Sequence, residues 1–289
     1  MFSILPAAIH QKCIEILGTG IASVQPVGGG SISQTYLLET ANGHFFIKIN
    51  SEKNAARMFG TEARGLNVLA ATGVVRTPEV IQHGELDGCA YLLMEYIEPG
   101  HRERGFWEKF GRSMAALHQN TAPQFGFAHS NFIGSMFQTN SRLDNWAEFY
   151  IQERLEPQVL MAMLNKKLTH SDFKHIEKLY QELPNLCPDE PPALVHGDLW
   201  SGNFLVGQNN EPVLIDPSVS YSHREMDLAM SHLFGGFDRD FYRSYEEAFP
   251  LAPGFRERLP VFQLYYLLVH VNLFGGSYVR SVREVIKRY

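Results

Sequence analysis

Beyond Gly100 most of the chain carries apolar residues at three- and four-residue spacing, and one block breaks that helical pattern: "LVHGDLWSGNFLVGQNNEPVLIDPS", Leu194–Ser218. In it, short apolar runs alternate with loops that carry Asp198, Asn203 and Asp216. A charge placed beside a core is expensive unless an opposite charge meets it. Acids threaded between strand cores therefore point to a bound cation.

The helical segments around the block are "GFWEKFGRSMAALHQ", "NWAEFYIQERLEPQVLMAML", "HSDFKHIEKLYQEL" and "VFQLYYLLVHVNLF". The first third reads differently. "IASVQPVGGG" runs into "SQTYLLET", and a turn at Asn42-Gly43 leads to "HFFIKIN", the signature of a β-hairpin. "AARMFGTEARGLNVLAAT" predicts a helix with Leu66, Val68 and Leu69 on its apolar side. Two further strands follow, "TPEVIQHGEL" and the almost continuously apolar "CAYLLMEYIEPG", with a break at Glu98–Gly100. The opening segment, with Pro6 near its first turn and Gly18 after its end, reads as an amphipathic helix and not as a secretion signal. The expected class is α+β: a small antiparallel-sheet lobe at 1–97 and a larger, mostly helical lobe at 98–289.

A composition of 45% hydrophobic and 19% charged residues is that of a folded chain. The net charge of −6 argues against a general electrostatic grip on nucleic acid or anionic membrane, and no run approaches the roughly 20 apolar residues a bilayer requires. Cys13, Cys89 and Cys187 lie far apart without a CxxC pair, which suits a reducing compartment and offers no zinc template. The expectation is a cytoplasmic protein with neither nucleic-acid nor membrane partners.

The glycine run Gly28, Gly29 and Gly30, followed by Ser31, allows close backbone approach and exposes amide donors to an anion. It equally suits a plain turn, and it fits neither the dinucleotide nor the Walker pattern. Lys48 is either a strand lysine whose head reaches solvent or a cation held for phosphate oxygens. The second reading needs an acidic partner: Glu62 is best placed, with Glu39 and Glu52 as competitors. Asp198 is placed to accept a hydroxyl proton, and Asn203 and Asp216 offer oxygen ligands suited to Mg²⁺. Taken singly, "HGD" and "IDPS" are turn or cap signals. In this order they match the protein-kinase template and read as phosphoryl transfer from a nucleotide. On the same plan adenine bonds the carbonyl of Glu95 and the amide of Ile97, with Met94 behind.

"HGDLWSGN", "IDPSVSYSHREMDLAMSHLFGGF", "FGFAHSNFIGSMFQTNSRLDNWAEFYIQERLEPQ" and "NLFGGSYVRSVREVIKRY" together resemble the fructosamine (ketosamine) kinase family, within the group that includes aminoglycoside and choline kinases. The resemblance spans nearly the whole chain. It implies a protein-kinase-like bilobal fold and ATP- and Mg²⁺-dependent phosphorylation of the third carbon of a sugar joined through a ketoamine to a small amine or a protein lysine. The phosphorylated adduct then falls away, which is deglycation. Carried over, Asp198 is the base, Asn203 and Asp216 bind metal, Lys48 holds phosphate and Glu62 orients the lysine. Some members carry a phosphate-loop cysteine that permits redox-controlled dimerisation; Gly-Gly-Gly-Ser here removes that expectation.

On the substrate side, Trp200 is either a stacking face for the sugar or a brace for its loop. The acids among His223, Glu225 and Asp227 either anchor the catalytic loop or face the substrate amine, with anchoring favoured by the helical reading of "REMDLAMSHLF". Trp146, Phe149 and Arg154 are expected to pack rather than to contact substrate. Two other functions stay open: a kinase of another small alcohol, of the aminoglycoside or choline type, and a nucleotide-binding scaffold without turnover.

Overall fold

A computed structural model describes residues 5–28 and 33–289. The chain divides into two compact units, Met1–Phe106 with Gly202–Pro217, and Trp107–Ser201 with Ser218–Tyr289. The sequence plan set its boundary at residue 97 and kept 98–289 together; in the structure the segment Gly202–Pro217 clusters with the first unit.

The first unit opens with α1 (Ala7–Leu17), which Pro6 starts and Gly18 ends in a left-handed conformation, its N–H donating to the Ile14 carbonyl. Strands β1 (Ile21–Pro26), β2 (Gln34–Thr40), β3 (Gly43–Asn50), β4 (Val80–Leu86) and β5 (Cys89–Glu95) form one antiparallel sheet in the order β1-β2-β3-β5-β4. The Asn42-Gly43 turn sets the β2–β3 register, with Thr40 opposite Gly43. Strand alternation sends side chains to two faces. Ile47, Ile49, Tyr91 and Leu93 pack with Ile9 and Cys13 of α1, and Ala90, Leu92 and Met94 pack with Phe59, Ala63 and Leu66 of α2 (Ala55–Ala71). A strand covered on both faces needs apolar residues at every position, which is why "CAYLLM" runs unbroken. Lys48 stands between Ile47 and Ile49, so it shares the face covered by α2. The unit is completed by the hairpin β9 (Phe204–Gly207) and β10 (Glu211–Leu214), joined to the rest through Leu214 N–H on the Arg76 carbonyl and Gly100 N–H on the Val206 carbonyl, both 2.8 Å.

The second unit is mostly helical: α3 (Phe106–His118), α4 (Trp146–Phe149), α5 (Glu156–Leu164), α6 (His170–Leu186), α7 (Glu225–Phe234), α8 (Arg239–Ala248), α9 (Phe255–Phe274) and α10 (Ser277–Ile286). Helix α9 is buried along most of its length, by Val261, Leu264, Leu268 and Val271 among others, and forms the centre of the core with Trp146, Phe149 and Tyr150. Two features depart from the sequence plan. "NWAEFYIQERLEPQVLMAML" is not one helix: Tyr150–Leu155 is a π-helical turn between α4 and α5. In addition, a hairpin of β6 (Asn131–Ile133) and β7 (Met136–Gln138) and a pair of β8 (Ala193–Val195) and β11 (Ser220–Ser222) lie among the helices. The first is too short to show a period. No helix among the described residues is long and apolar enough to cross a membrane.

Asp172 ties two of these helices together. It closes a capping box with Thr169 at the start of α6 and accepts two hydrogen bonds from Arg283 of α10, at 2.9 and 3.0 Å. Burial alone would raise its pKa; the Arg283 guanidinium and the capping bonds outweigh that and hold it at about 2. A depressed carboxylate stabilises the fold fully above its unfolded value, roughly pH 4, and that contribution is lost as pH falls towards 2. Thermal melts of Asp172→Asn against the unaltered protein should therefore differ by on the order of 1–2 kcal/mol at neutral pH and converge near pH 2. A gap that stays constant with pH would contradict the assignment.

Candidate active site

The first unit assembles its charged cluster around one buried ammonium. Lys48 Nζ lies 2.8 Å from Glu62 Oε1 and donates a short hydrogen bond to Asp216 Oδ1. Glu62 reaches it because α2 crosses the face of the sheet on which Lys48 stands. Of the competitors, Glu39 instead accepts hydrogen bonds from Ser23 and Gln25 on β1. Burial works to lower the Lys48 pKa, but the Asp216 and Glu62 carboxylates outweigh it and hold the ammonium charged. The Glu62 carboxyl is pushed up by burial, opposed by the Lys48 ammonium and reinforced by Asp216. One cation thus faces two carboxylates.

The spacing of Asn203 and Asp216 is explained by the β9–β10 hairpin. Phe204 pairs with Leu214, and the next step of the ladder is Ile215 N–H on the Asn203 carbonyl at 3.0 Å. The thirteen-residue excursion therefore returns Asp216 to the end of the hairpin where Asn203 begins it. Asp216 adopts a left-handed backbone, φ 53°, a conformation of about 1–3 kcal/mol strain for a non-glycine residue. It turns a carboxylate that is 42% exposed towards Lys48. Both residues present hard oxygen donors, and with both carboxylates ionised the cluster carries one more negative than positive charge. The donor set fits a Mg²⁺ ion.

Of the remaining sequence-derived positions, Gly28 is exposed and a Cβ there would meet no atom; Gly29, Gly30 and Ser31 lie outside the described residues. Met94 is buried against α2. The Glu95 carboxylate accepts from Arg76 and from Glu79 N–H. Ile97 packs near Gly207 in the segment that runs along the β9–β10 hairpin.

In the second unit Asp198 follows β8 on a loop whose backbone is held almost atom by atom. The buried carboxylate of Asp227 on α7 accepts the N–H groups of His196 at 2.7 Å and Gly197 at 2.8 Å. It also accepts His118 Nε2 at 3.1 Å, while the other ring nitrogen of His118 lies 2.7 Å from the Tyr245 hydroxyl. An ionised Asp227 can only accept, so His118 donates to it from Nε2. Tyr266 donates its hydroxyl to the Gly197 carbonyl, and Ser218 N–H donates to the His196 carbonyl. Asp227 was placed by the sequence among acids expected to anchor this loop, and the hydrogen bonds are those of an anchor. Glu225 instead makes a two-pronged pair with Arg258 of α9. Glu190, His223 and Glu225 lie within 4.8 Å of one another, but Arg224 and Arg258 already neutralise the two carboxylates, and burial pushes His223 down to about 4. This group is an internal ion-pair network. Trp200 is 38% exposed, too open for a core brace.

The loop also depends on a position that the sequence reading left unexamined. Gly197 has φ 85° and a Cβ there would lie 2.0 Å from the Ser218 carbonyl oxygen. Gly197→Ala should lower Tm by several degrees and reduce turnover at least 100-fold. An active, fully stable variant would show that the loop tolerates movement.

A fructosamine kinase family profile matches residues 6–289. The chain is 42% identical over 268 residues to a probable ketoamine kinase of Enterococcus faecium, covering 92% of this chain and 95% of that one. A solved structure provisionally assigned as a fructosamine-3-kinase, from Haemophilus somnus, superposes with a TM-score of 0.87 at 27% identity and covers 97% of this chain and 96% of its own. The fold alone is shared with an aminoglycoside phosphotransferase, APH(4)-Ia, solved with ADP and hygromycin B: TM-score 0.62, 15% identity, 96% of this chain and 98% of that one. With its five-stranded antiparallel sheet and helical second unit built on that kinase plan, the chain belongs to the fructosamine kinase family.

Proposed function

We propose that this kinase uses ATP and Mg²⁺ to phosphorylate a sugar hydroxyl of ketosamines, small or protein-borne, and so initiates removal of the sugar from the amine. The observation that carries the reading is the Lys48–Glu62–Asp216 cluster beside Asn203, joined to family membership over nearly the whole chain. A buried lysine held charged by two carboxylates is suited to phosphate oxygens: Glu62 fixes its position, and the half-exposed Asp216 would exchange it for a divalent cation. Asn203 and Asp216 would hold that Mg²⁺, which when bound neutralises charge on the transferring phosphoryl group. Gly28, Gly29, Gly30 and Ser31 supply backbone donors to the phosphates, and Met94, Glu95 and Ile97 form the adenine side.

Asp198 accepts the proton of the attacking hydroxyl. Its loop is fixed by Asp227, Tyr266 and Ser218, so little reorganisation is needed when the acceptor arrives. The exposed indole of Trp200, two residues on, offers a face for the sugar ring. That the Haemophilus somnus structure is described as a fructosamine-3-kinase favours the third carbon as the site of transfer.

Purified protein with ATP and Mg²⁺ should release ADP on a fructosamine- or ribulosamine-bearing lysine derivative. Asp198→Asn should reduce kcat by about 10²–10⁴-fold with ATP affinity little changed. Turnover on aminoglycosides or choline without any on ketosamines would replace this reading with another small-alcohol kinase.

A further inference from the structure

Arg154 is a buried cation of the second unit that the proposed chemistry does not use and that, unlike Arg224 and Arg258, makes no ion pair among the described residues. It is 3% exposed, and among the described residues no carboxylate lies within ion-pair distance of it. Its guanidinium donates to the carbonyls of Thr139 (2.7 Å) and Glu153 (3.0 Å), to Asn140 Oδ1 (2.6 Å) and to Ser220 Oγ (3.2 Å). It also lies over the ring of Phe149, 4.7 Å from its centroid. A buried charge answered only by neutral oxygens is a poor stabilising device.

The sequence explains how it arrives there. Pro157 has no N–H to give the Glu153 carbonyl, and its ring would collide with that carbonyl in an α-helix. The chain widens into the π-helical turn Tyr150–Leu155, with Glu156 N–H reaching back to the Ile151 carbonyl. The Glu153 carbonyl freed in this way accepts from Arg154 itself. π-Turns of this kind are uncommon and recur at functional sites.

What Arg154 reaches is a polar layer oriented between its donor-only guanidinium and the accept-only carbonyls of His129 and Val219. Because guanidinium cannot accept, Asn140 must turn its oxygen towards it, and the Asn140 amide then donates to Asn131 Oδ1 at 3.0 Å. Gln138 Nε2 donates to the same Asn131 oxygen and to Ser218 Oγ. Asn131 Nδ2 is left to hold the Val219 carbonyl at 2.8 Å. Ser218 Oγ donates to the Phe132 carbonyl. The layer therefore clamps residues 218–220, and that segment in turn holds the loop of Asp198: Ser220 pairs with Val195 across β8 and β11, and Ser218 N–H holds the His196 carbonyl.

We infer that Arg154 is a positioning residue for the catalytic loop, acting through the Asn140–Asn131–Gln138 layer and the 218–220 segment on His196 and so on Asp198. The inference rests on Asp198 as the base, and its test separates the two. Compare Arg154→Met, Arg154→Lys and the unaltered protein by steady-state kinetics and by amide hydrogen exchange. Lysine keeps a donor-only cation but cannot span four acceptors. For Arg154→Met the expected result is a kcat about 10–100-fold lower, a KM for ATP within about threefold, and faster exchange confined to residues 196–198 and 218–220. Arg154→Lys should recover part of kcat and part of the protection. Unchanged kcat, unchanged exchange at those amides, or faster exchange spread evenly over the second unit would overturn the inference. If Arg154→Met fails to fold, the lysine variant carries the same comparison. Should the unaltered protein phosphorylate no ketosamine, the functional reading fails, while hydrogen exchange still decides whether Arg154 orders the loop.

Discussion

One buried ammonium organises the first unit. Lys48 stands on the α2 side of the sheet and is met by Glu62 from α2 and Asp216 from the end of the β9–β10 hairpin. An ammonium that deep inside the fold would shed its proton without carboxylate partners. Two carboxylates meeting there would repel each other without the lysine; burial first, and Asp216 after it, push the Glu62 carboxyl up, and the Lys48 ammonium opposes both. Each of three sequence-distant elements is thus placed by a charge it cannot do without. With both carboxylates ionised the arrangement carries one excess negative charge, which a divalent cation would relieve.

The second unit meets the opposite requirement. The proposed base, Asp198, works best if its carboxylate is positioned before the substrate hydroxyl arrives, and the backbone of its loop is held in place for that. Asp227 takes two successive N–H groups, Tyr266 and Ser218 hold the neighbouring carbonyls, and the absence of a side chain at Gly197 lets the Ser218 carbonyl pass. The carboxylate that does the holding is wholly buried and makes no claim on substrate. The loop's rigidity is therefore separable from its chemistry, and mutations at Asp227 and Asp198 are expected to fail in different ways.

Much of this was readable from local pattern. Asn42-Gly43 placed the β2–β3 hairpin, the unbroken "CAYLLM" marked a strand covered on both faces, and the period of "AARMFGTEARGLNVL" put Glu62 on a helix that could reach Lys48. The spacing of Asn203 and Asp216 was visible, but its cause, the register of a four-residue hairpin, was not. What escaped the sequence was set by long-range packing. Three-residue strands at Asn131–Ile133 and Met136–Gln138 show no alternation to detect. The π-turn looks helical by period because its six residues are too few to separate its wider repeat from that of an α-helix. Arg154 read as a packing residue because its role depends on partners 14 and 66 positions away, Asn140 and Ser220.

That last case shows why hydrogen-bond direction matters more than polarity at such a site. A layer of asparagine, glutamine and serine side chains can satisfy itself in more than one arrangement, since each amide can rotate and exchange donor for acceptor. A half-satisfied or alternating network would leave the 218–220 segment with several near-equal states. Here the choice is made from both ends: Arg154 can only donate and turns the Asn140 oxygen towards itself, while the His129 and Val219 carbonyls can only accept and hold the Asn140 and Asn131 amide nitrogens. Leucine or methionine in place of Arg154 would fill the volume and keep the core, yet leave the Asn140 oxygen and the Thr139 carbonyl without that donor. A guanidinium with no carboxylate is thus better understood as the donor end of a network than as an ion seeking its partner.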